Sequence, residues 1–361
     1  NPYYAAEKLY YMKRGATTDL LELDLSSNPD LTKGKKISDI DYSTRNVWGI
    51  RYNKNDNHLY WTGDEINDEV INLTRLDPKT GKVEKLTDVP YIFGYRWNEA
   101  GTKVAYIARL GDKENRLSEL RILDLETNNE TKIIQDKADM RYTWGTPSWQ
   151  PDGKGVVVTA LKDADRTYGN IVYIDFNEKS QTLLTDASRK RSFPEIFKEW
   201  LDNNTFMYVS NEDGFRNIYS LNVSTKKSTQ LTTFKTDLGT SEIVTIEGKK
   251  YVFATTSSPI ETKIYLLDLP SGDIVMQQKS NVSLEVYDSD GDKMMMSARS
   301  NASMFRIDEM TVSTDNLTSK TVVDVPKELK EKIYKIAEDK ISQYLNVFNL
   351  FDLQEDFEKL K

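Results

Sequence analysis

The chain has 361 residues, 57 acidic and 49 basic, for a formal net charge of −8. With no cysteine and a single histidine, it excludes disulfides, cysteine nucleophiles and the common zinc sites. The acidic balance argues against nucleic acid, whose phosphates need a basic footprint, and no run approaches the ~18 uninterrupted apolar residues of a membrane span.

Taken in chain order, the elements repeat. Each copy has an anchor residue, a polar turn and an apolar strand. A worn first copy is Tyr4, the turn Ala5 to Lys8, and the strand Leu9-Tyr10-Tyr11-Met12. Next come "YNKNDNHLYW" from Tyr52 and "WNEAGTKVAY" from Trp97. The clearest copy is "SWQPDGKGVVVTA" from Ser148, with Asp152-Gly153 between strand-forming residues, a strong hairpin signal. Trp200, Ile246 and Tyr287 anchor the last three. Anchors at 4, 52, 97, 149, 200, 246 and 287 are spaced by 48, 45, 52, 51, 46 and 41 residues. Repetition at that period marks a propeller or an array.

Each copy has a second half. An alternating strand ends in an acid or amide, as in Leu73-Thr-Arg-Leu-Asp77, Leu120-Arg-Ile-Leu-Asp124, Ile171-Val-Tyr-Ile-Asp175 and Ile218-Tyr-Ser-Leu-Asn222. A turn and a short closing strand follow, such as Leu86-Thr87, Leu184-Thr185 and Leu231-Thr232. Four strands per copy and seven copies predict an all-β, seven-bladed propeller. The blades are expected over 1–40, 41–88, 89–137, 138–187, 188–235, 236–280 and 281–325. Trp97, Trp149 and Trp200 are expected to fill the space between blades. The acid after the third strand should bond backbone N–H groups of the next turn. Beyond Pro326 the pattern turns helical, with Leu329, Ile333, Ile336, Ile341 and Leu345 roughly on one face. Residues 326–361 are therefore expected as a C-terminal amphipathic helical segment. The first residue is Asn rather than Met, so a trimmed chain with a lost upstream leader or anchor is expected.

Residues 146–186 and 208–232 resemble the TolB-type, WD-repeat-like propeller motif: a Trp-x-Pro-Asp-Gly-Lys hairpin, a strand ending Ile-Tyr, and a closing Leu-Thr. The repeats are also similar to those of the propeller that precedes the catalytic domain in prolyl-oligopeptidase-type peptidases. The motif is specific for fold and nearly silent about function. The TolB-like resemblance implies a non-catalytic, bacterial, extracytoplasmic scaffold that binds a protein or peptide. Two alternatives stay open: a gating propeller of a serine peptidase whose catalytic domain is absent, or a metal-dependent, lactonase-like hydrolase.

The residues themselves offer little catalysis. A serine triad needs a histidine base, and His58 sits in the polar turn Asn55-Asp-Asn-His58. No Gly-x-Ser-x-Gly elbow occurs. "DSDGD" at 288–292 opens like a calcium loop but has Arg299 where a bidentate Glu belongs, so it reads as the seventh hairpin. Met294-Met-Met296 reads as core strand. No cofactor or metal site is expected. Two features suit partner binding. Aromatic residues precede a glycine or proline on the way into inner strands: Trp48, Phe93, Trp144 and Phe193. Arg189, Lys190 and Arg191, with Arg141 at the equivalent place one copy earlier, form a local basic group on an acidic protein.

Overall fold

The computed structural model describes residues 3–5, 8–14, 17–24, 33–42, 46–64, 69–111, 117–143, 145–162, 169–185, 195–257, 262–269, 271–280, 283–290, 293–299, 306–315 and 317–323. Among them the regular structure is strand, and no α-helix occurs. The segment 326–361, expected as helix, lies outside the described residues.

Runs such as Val156-Val157-Val158-Thr159 suit the pleated, half-buried surface of a sheet. They assemble into seven consecutive antiparallel meanders, each numbered here as a unit. Unit one runs from Tyr3–Ala5 through Lys8–Arg14 and Thr18–Asp24 to Lys35–Lys36. Unit two comprises Asn46–Asn53, His58–Asp64, Ile71–Leu76 and Val83–Lys85. Unit three comprises Tyr91–Trp97, Lys103–Leu110, Leu117–Asp124 and Glu130–Gln135. In unit four the first strand is split into Met140–Tyr142 and Ser148–Trp149, both paired with Gly155–Lys162. Gly169–Asp175 and Ser180–Leu183 complete it. Unit five holds Ile196–Trp200, Thr205–Ser210, Asn217–Asn222 and Ser228–Gln230. Unit six holds Leu238–Ile246, Lys249–Ser257, Thr262–Asp268 and Ile274–Ser280. Unit seven holds Ser283–Asp290, Lys293–Arg299, Arg306–Val312 and Leu317–Val323.

The first strands touch at five of the seven junctions between units. Tyr3–Ala5 meets Asn46–Asn53, Tyr91–Trp97 meets Ser148–Trp149, and Leu238–Ile246 lies between Ile196–Trp200 and Ser283–Asp290. Ser283–Asp290 in turn touches Tyr3–Ala5, so the last unit closes on the first. One parallel bridge, Ile71 with Tyr91, joins units two and three. First strands surround the axis and fourth strands lie outermost.

The core lies between units. Tyr60 and Leu73 of unit two pack with Tyr95, Val104 and Tyr106 of unit three. Ala105 and Ile107 pack with Val156, Val158 and Val172 of unit four. Trp200, Phe206 and Tyr208 of unit five pack with Val157, Ile171 and Leu184. Burying one such large side chain stabilises by about 1.5–3 kcal/mol, so each unit depends on its neighbours. The anchors occupy these seams. Trp97 lies 5.5 Å from Tyr60, ring centre to ring centre. Trp149 packs against Phe176 at 5.3 Å, and Trp200 against Phe206 at 5.4 Å.

Short polar locks hold strand to strand inside units two, four and five. The Thr232 hydroxyl accepts from Ile218 N at 2.9 Å and donates to Asn217 Oδ1 at 2.9 Å. Thr87 and Thr185 accept equivalently from Leu73 N (3.0 Å) and Ile171 N (2.9 Å). At the other edge, Asp77, Asp124, Asp175 and Asn222 accept backbone N–H groups of Lys79, Thr127, Asn177 and Thr225 at 2.8–3.0 Å. The Asp152-Gly153 turn has Gly153 at φ +74°, where a side chain would be strained.

Candidate functional site

The first strands are irregular where the aromatic-glycine pairs stand. In unit two the register shifts between Trp48 and Arg51, so Gly49 and Ile50 form a bulge. In unit three Phe93 and Gly94 together face Ile107 across a second shift. In unit four Gly145 falls in the gap between the two halves of the split strand. Bulges of this kind re-aim side chains at barrel rims. They also let strands crowd the axis, since a Cβ on Gly94 would stand 2.7 Å from the Gly145 carbonyl oxygen.

The proposed binding residues separate into three groups. Trp48 is 46% exposed, the kind of uncovered ring a ligand can stack on. Phe93 instead packs against Tyr91 at 5.4 Å and against the core between units three and four. Its ring serves the seam, because the neighbouring Gly94–Gly145 approach draws the two inner strands together. Arg141 is held by Asp136 at 3.0 Å. The Asp136 side chain is fully buried, and it also accepts from Ser118 N at 3.0 Å. Burial pushes its carboxyl above the ordinary value, against the pull of those bonds and of Arg141. Arg141 thus neutralises a buried acid at the seam and contributes little to a basic surface. Trp144, Phe193, Arg189, Lys190 and Arg191 lie outside the described residues.

The structure brings together a second group that the sequence reading missed. Arg51, Arg96 and Glu199 each immediately precede an anchor, Tyr52, Trp97 or Trp200. They pair in register with Tyr60, Ala105 and Met207, so they are equivalent positions on three inner strands. Lys198, the bulged residue beside Glu199, donates from Nζ to the Ser241 carbonyl at 3.1 Å. Lys250 approaches Glu199 at 3.9 Å.

These groups act on one another electrostatically. The Arg96 guanidinium is lowered to about 10, by burial first and then by Arg51, against the upward pull of Glu199 and Glu242. Burial also raises the carboxyls of Glu199 and Glu242 and lowers Lys198. Arg96 belongs to unit three and its two acids to units five and six. With unit four between them, the interaction runs across the axis. The inner wall therefore carries arginines on one side and a mixed Glu/Lys group on the other. The sequence signal for it was the repeated charge just before the anchor.

Catalytic groups are sparse. Among the described residues no group of three or more His, Cys, Asp and Glu could hold a metal. His58 stands with Nδ1 2.7 Å from its neighbour Asp56's carbonyl oxygen. Asp288 to Asp290 end the first strand of unit seven, where Asp290 pairs with Lys293, and Met294 to Met296 lie in the strand that follows. A cavity of about 310 Å³ opens on the outside between units four and five, lined by Thr185, Glu195, Tyr208, Tyr219 and Lys226. No helix among the described residues is long and apolar enough to cross a membrane.

The sequence pattern of the dipeptidyl peptidase IV (DPP IV) N-terminal region matches residues 110–305, more than half of the chain. The chain belongs to this family. No curated protein matches the sequence. Among solved structures, a prolyl endopeptidase superposes with a TM-score of 0.66 at 14% identity, covering 88% of this chain and 48% of that one. Prolyl oligopeptidase B from Galerina marginata gives 0.65 at 10% identity, covering 90% and 51%. An oligogalacturonate lyase in complex with manganese gives 0.57 at 13% identity, covering 86% and 83%. This DPP IV-type propeller spans about half the length of the peptidases it superposes on.

Proposed function

We propose that this propeller is the access-controlling part of a prolyl-oligopeptidase-type serine peptidase, admitting peptides along its axis. The observation that carries this reading is the match over residues 110–305 to a peptidase N-terminal region. Among the described residues no His, Cys, Asp and Glu group could hold a metal. His58 is turned to its own turn backbone, and the nucleophile would come from a hydrolase domain. The contribution of these residues is positional: exposed Trp48 offers a stacking surface near the inner strands, and the charged inner wall discriminates among what passes. A TolB-like scaffold that binds a partner protein is the second reading. It rests on the resemblance of residues 146–186 and 208–232 to that repeat. An extracytoplasmic, bacterial setting belongs to that second reading.

Tryptophan fluorescence and calorimetry on the chain, titrated with an uncharged proline-containing octapeptide, test the first reading. Saturable binding that weakens at least threefold in Trp48→Ala, with an unchanged melting curve, is the expected result. No binding by any such peptide overturns it.

A further inference from the structure

We propose that Arg51 and Arg96 form a carboxylate-binding site on the inner wall, taking a free C-terminus or an acidic side chain of a peptide. This rests on the peptide-admitting reading above.

The two arginines occupy equivalent positions on the inner strands of adjacent units. The strands are tied at this point: the Tyr95 hydroxyl donates to the Gly49 carbonyl at 2.8 Å. The Trp149 indole donates to the Arg96 carbonyl, also at 2.8 Å. Both guanidinium stems therefore rise from backbone fixed on either side.

Three other partly buried arginines are neutralised locally, whereas Arg109 is not. Arg75 bonds Glu84 at 2.9 Å, Arg121 bonds Glu119 at 2.8 Å, and Arg141 bonds Asp136. Among the described residues no carboxylate forms an ion pair with Arg51 or Arg96. Glu199 and Glu242 reach Arg96 only through space, from across the axis. Two like charges, partly withdrawn from water and without a contacting counter-ion, are costly to hold. A bound anion relieves that cost. A planar guanidinium fork matches a carboxylate with two parallel hydrogen bonds.

The test uses the 361-residue chain and three blocked peptides: acetyl-tetraalanine with a free carboxylate, its C-terminal amide, and the amide carrying one internal Asp. Affinities are measured by calorimetry for the wild type, Arg51→Gln and Arg96→Gln, with melting curves as a folding control. The free acid should bind at least tenfold more tightly than the amide. Each glutamine variant should lose that preference while still binding the amide. Tight binding of the Asp-containing amide assigns the site to side-chain carboxylates; weak binding assigns it to the C-terminus. Equal affinity for acid and amide in the wild type overturns this inference and leaves the peptide-admitting reading intact. Binding by none of the three overturns both.

Discussion

The Trp149 indole N–H donates to the Arg96 carbonyl at 2.8 Å, tying the unit-four anchor to the inner strand of unit three. The ring also packs edge-on against Phe176. Hydrogen bond and packing are separable by substitution. Trp149→Phe keeps an aromatic ring and loses the donor, at an expected cost of about 1 kcal/mol. Trp149→Ala loses both, at an expected cost of about 3 kcal/mol. Urea unfolding of both variants checks the split, and an unchanged midpoint for Trp149→Phe would show that the bond contributes nothing.

The Thr232 hydroxyl is the acceptor for a buried backbone donor, Ile218 N, and it donates to Asn217. Thr232→Val has nearly the same shape but leaves that N–H without its partner, an expected loss of about 1–3 kcal/mol. Thr232→Ser restores the hydroxyl and should recover most of the loss. Thermal melting of the pair decides the point. Equal melting temperatures for Val and Ser would mean that the lock is ornamental. Thr185 offers an independent repeat of the experiment.

Local chemistry was legible in the sequence because it recurs within a few residues. The Asp152-Gly153 turn, the Leu-Thr closings and the acids at Asp77, Asp124 and Asp175 all act on backbone close by or one strand away. The anchors were legible wherever the hairpin had its usual length. Tyr52, Trp97 and Trp149 each pair with a residue seven further on, namely Leu59, Val104 and Val156. In unit six that spacing belongs to Val244 and Tyr251, whereas Ile246 pairs with Lys249 across a two-residue turn. Counting back from the turn therefore misplaced the anchor by two. The charged inner wall was illegible for a different reason. Arg96, Glu199 and Glu242 meet only when the ring closes, and nothing in any single repeat reports that meeting.

The Gly94–Gly145 approach sets how closely units three and four crowd the axis. In Gly94→Ala the new methyl group stands 2.7 Å from the Gly145 carbonyl oxygen, nearer than real carbon–oxygen contacts, so backbone must shift. Overpacking of this kind costs typically about 1–3 kcal/mol. The same shift displaces Arg96, two residues along the strand. Gly94→Ala is therefore expected to lower the melting temperature and weaken acid-peptide binding together. Gly153→Ala, far from the axis at an open turn, should lower stability alone. Calorimetry with the blocked acid peptide separates the two, and intact acid binding by Gly94→Ala contradicts the proposed coupling.

Glu242 should make stability depend on pH in the direction opposite to a salt-bridged acid. Burial holds its carboxyl above the ordinary value of 4.5; Lys198 and Arg96 pull it down and Glu199 adds to the rise. Such a group binds its proton more tightly in the folded chain than in the unfolded one. Its contribution is complete below the ordinary value and declines as pH climbs from there through the folded value. Glutamine at this position has no proton to lose. Glu242→Gln should match the wild type at about pH 4 and be the more stable of the two at about pH 7. Asp77 and Asp124, held below the ordinary carboxyl value by turn N–H groups, follow the opposite trend. They act equally on both proteins and cancel in the comparison. Urea midpoints at the two pH values provide the measurement. A gap that stays constant or narrows as pH rises means that the ionised Glu242 is already compensated by the cations on the inner wall.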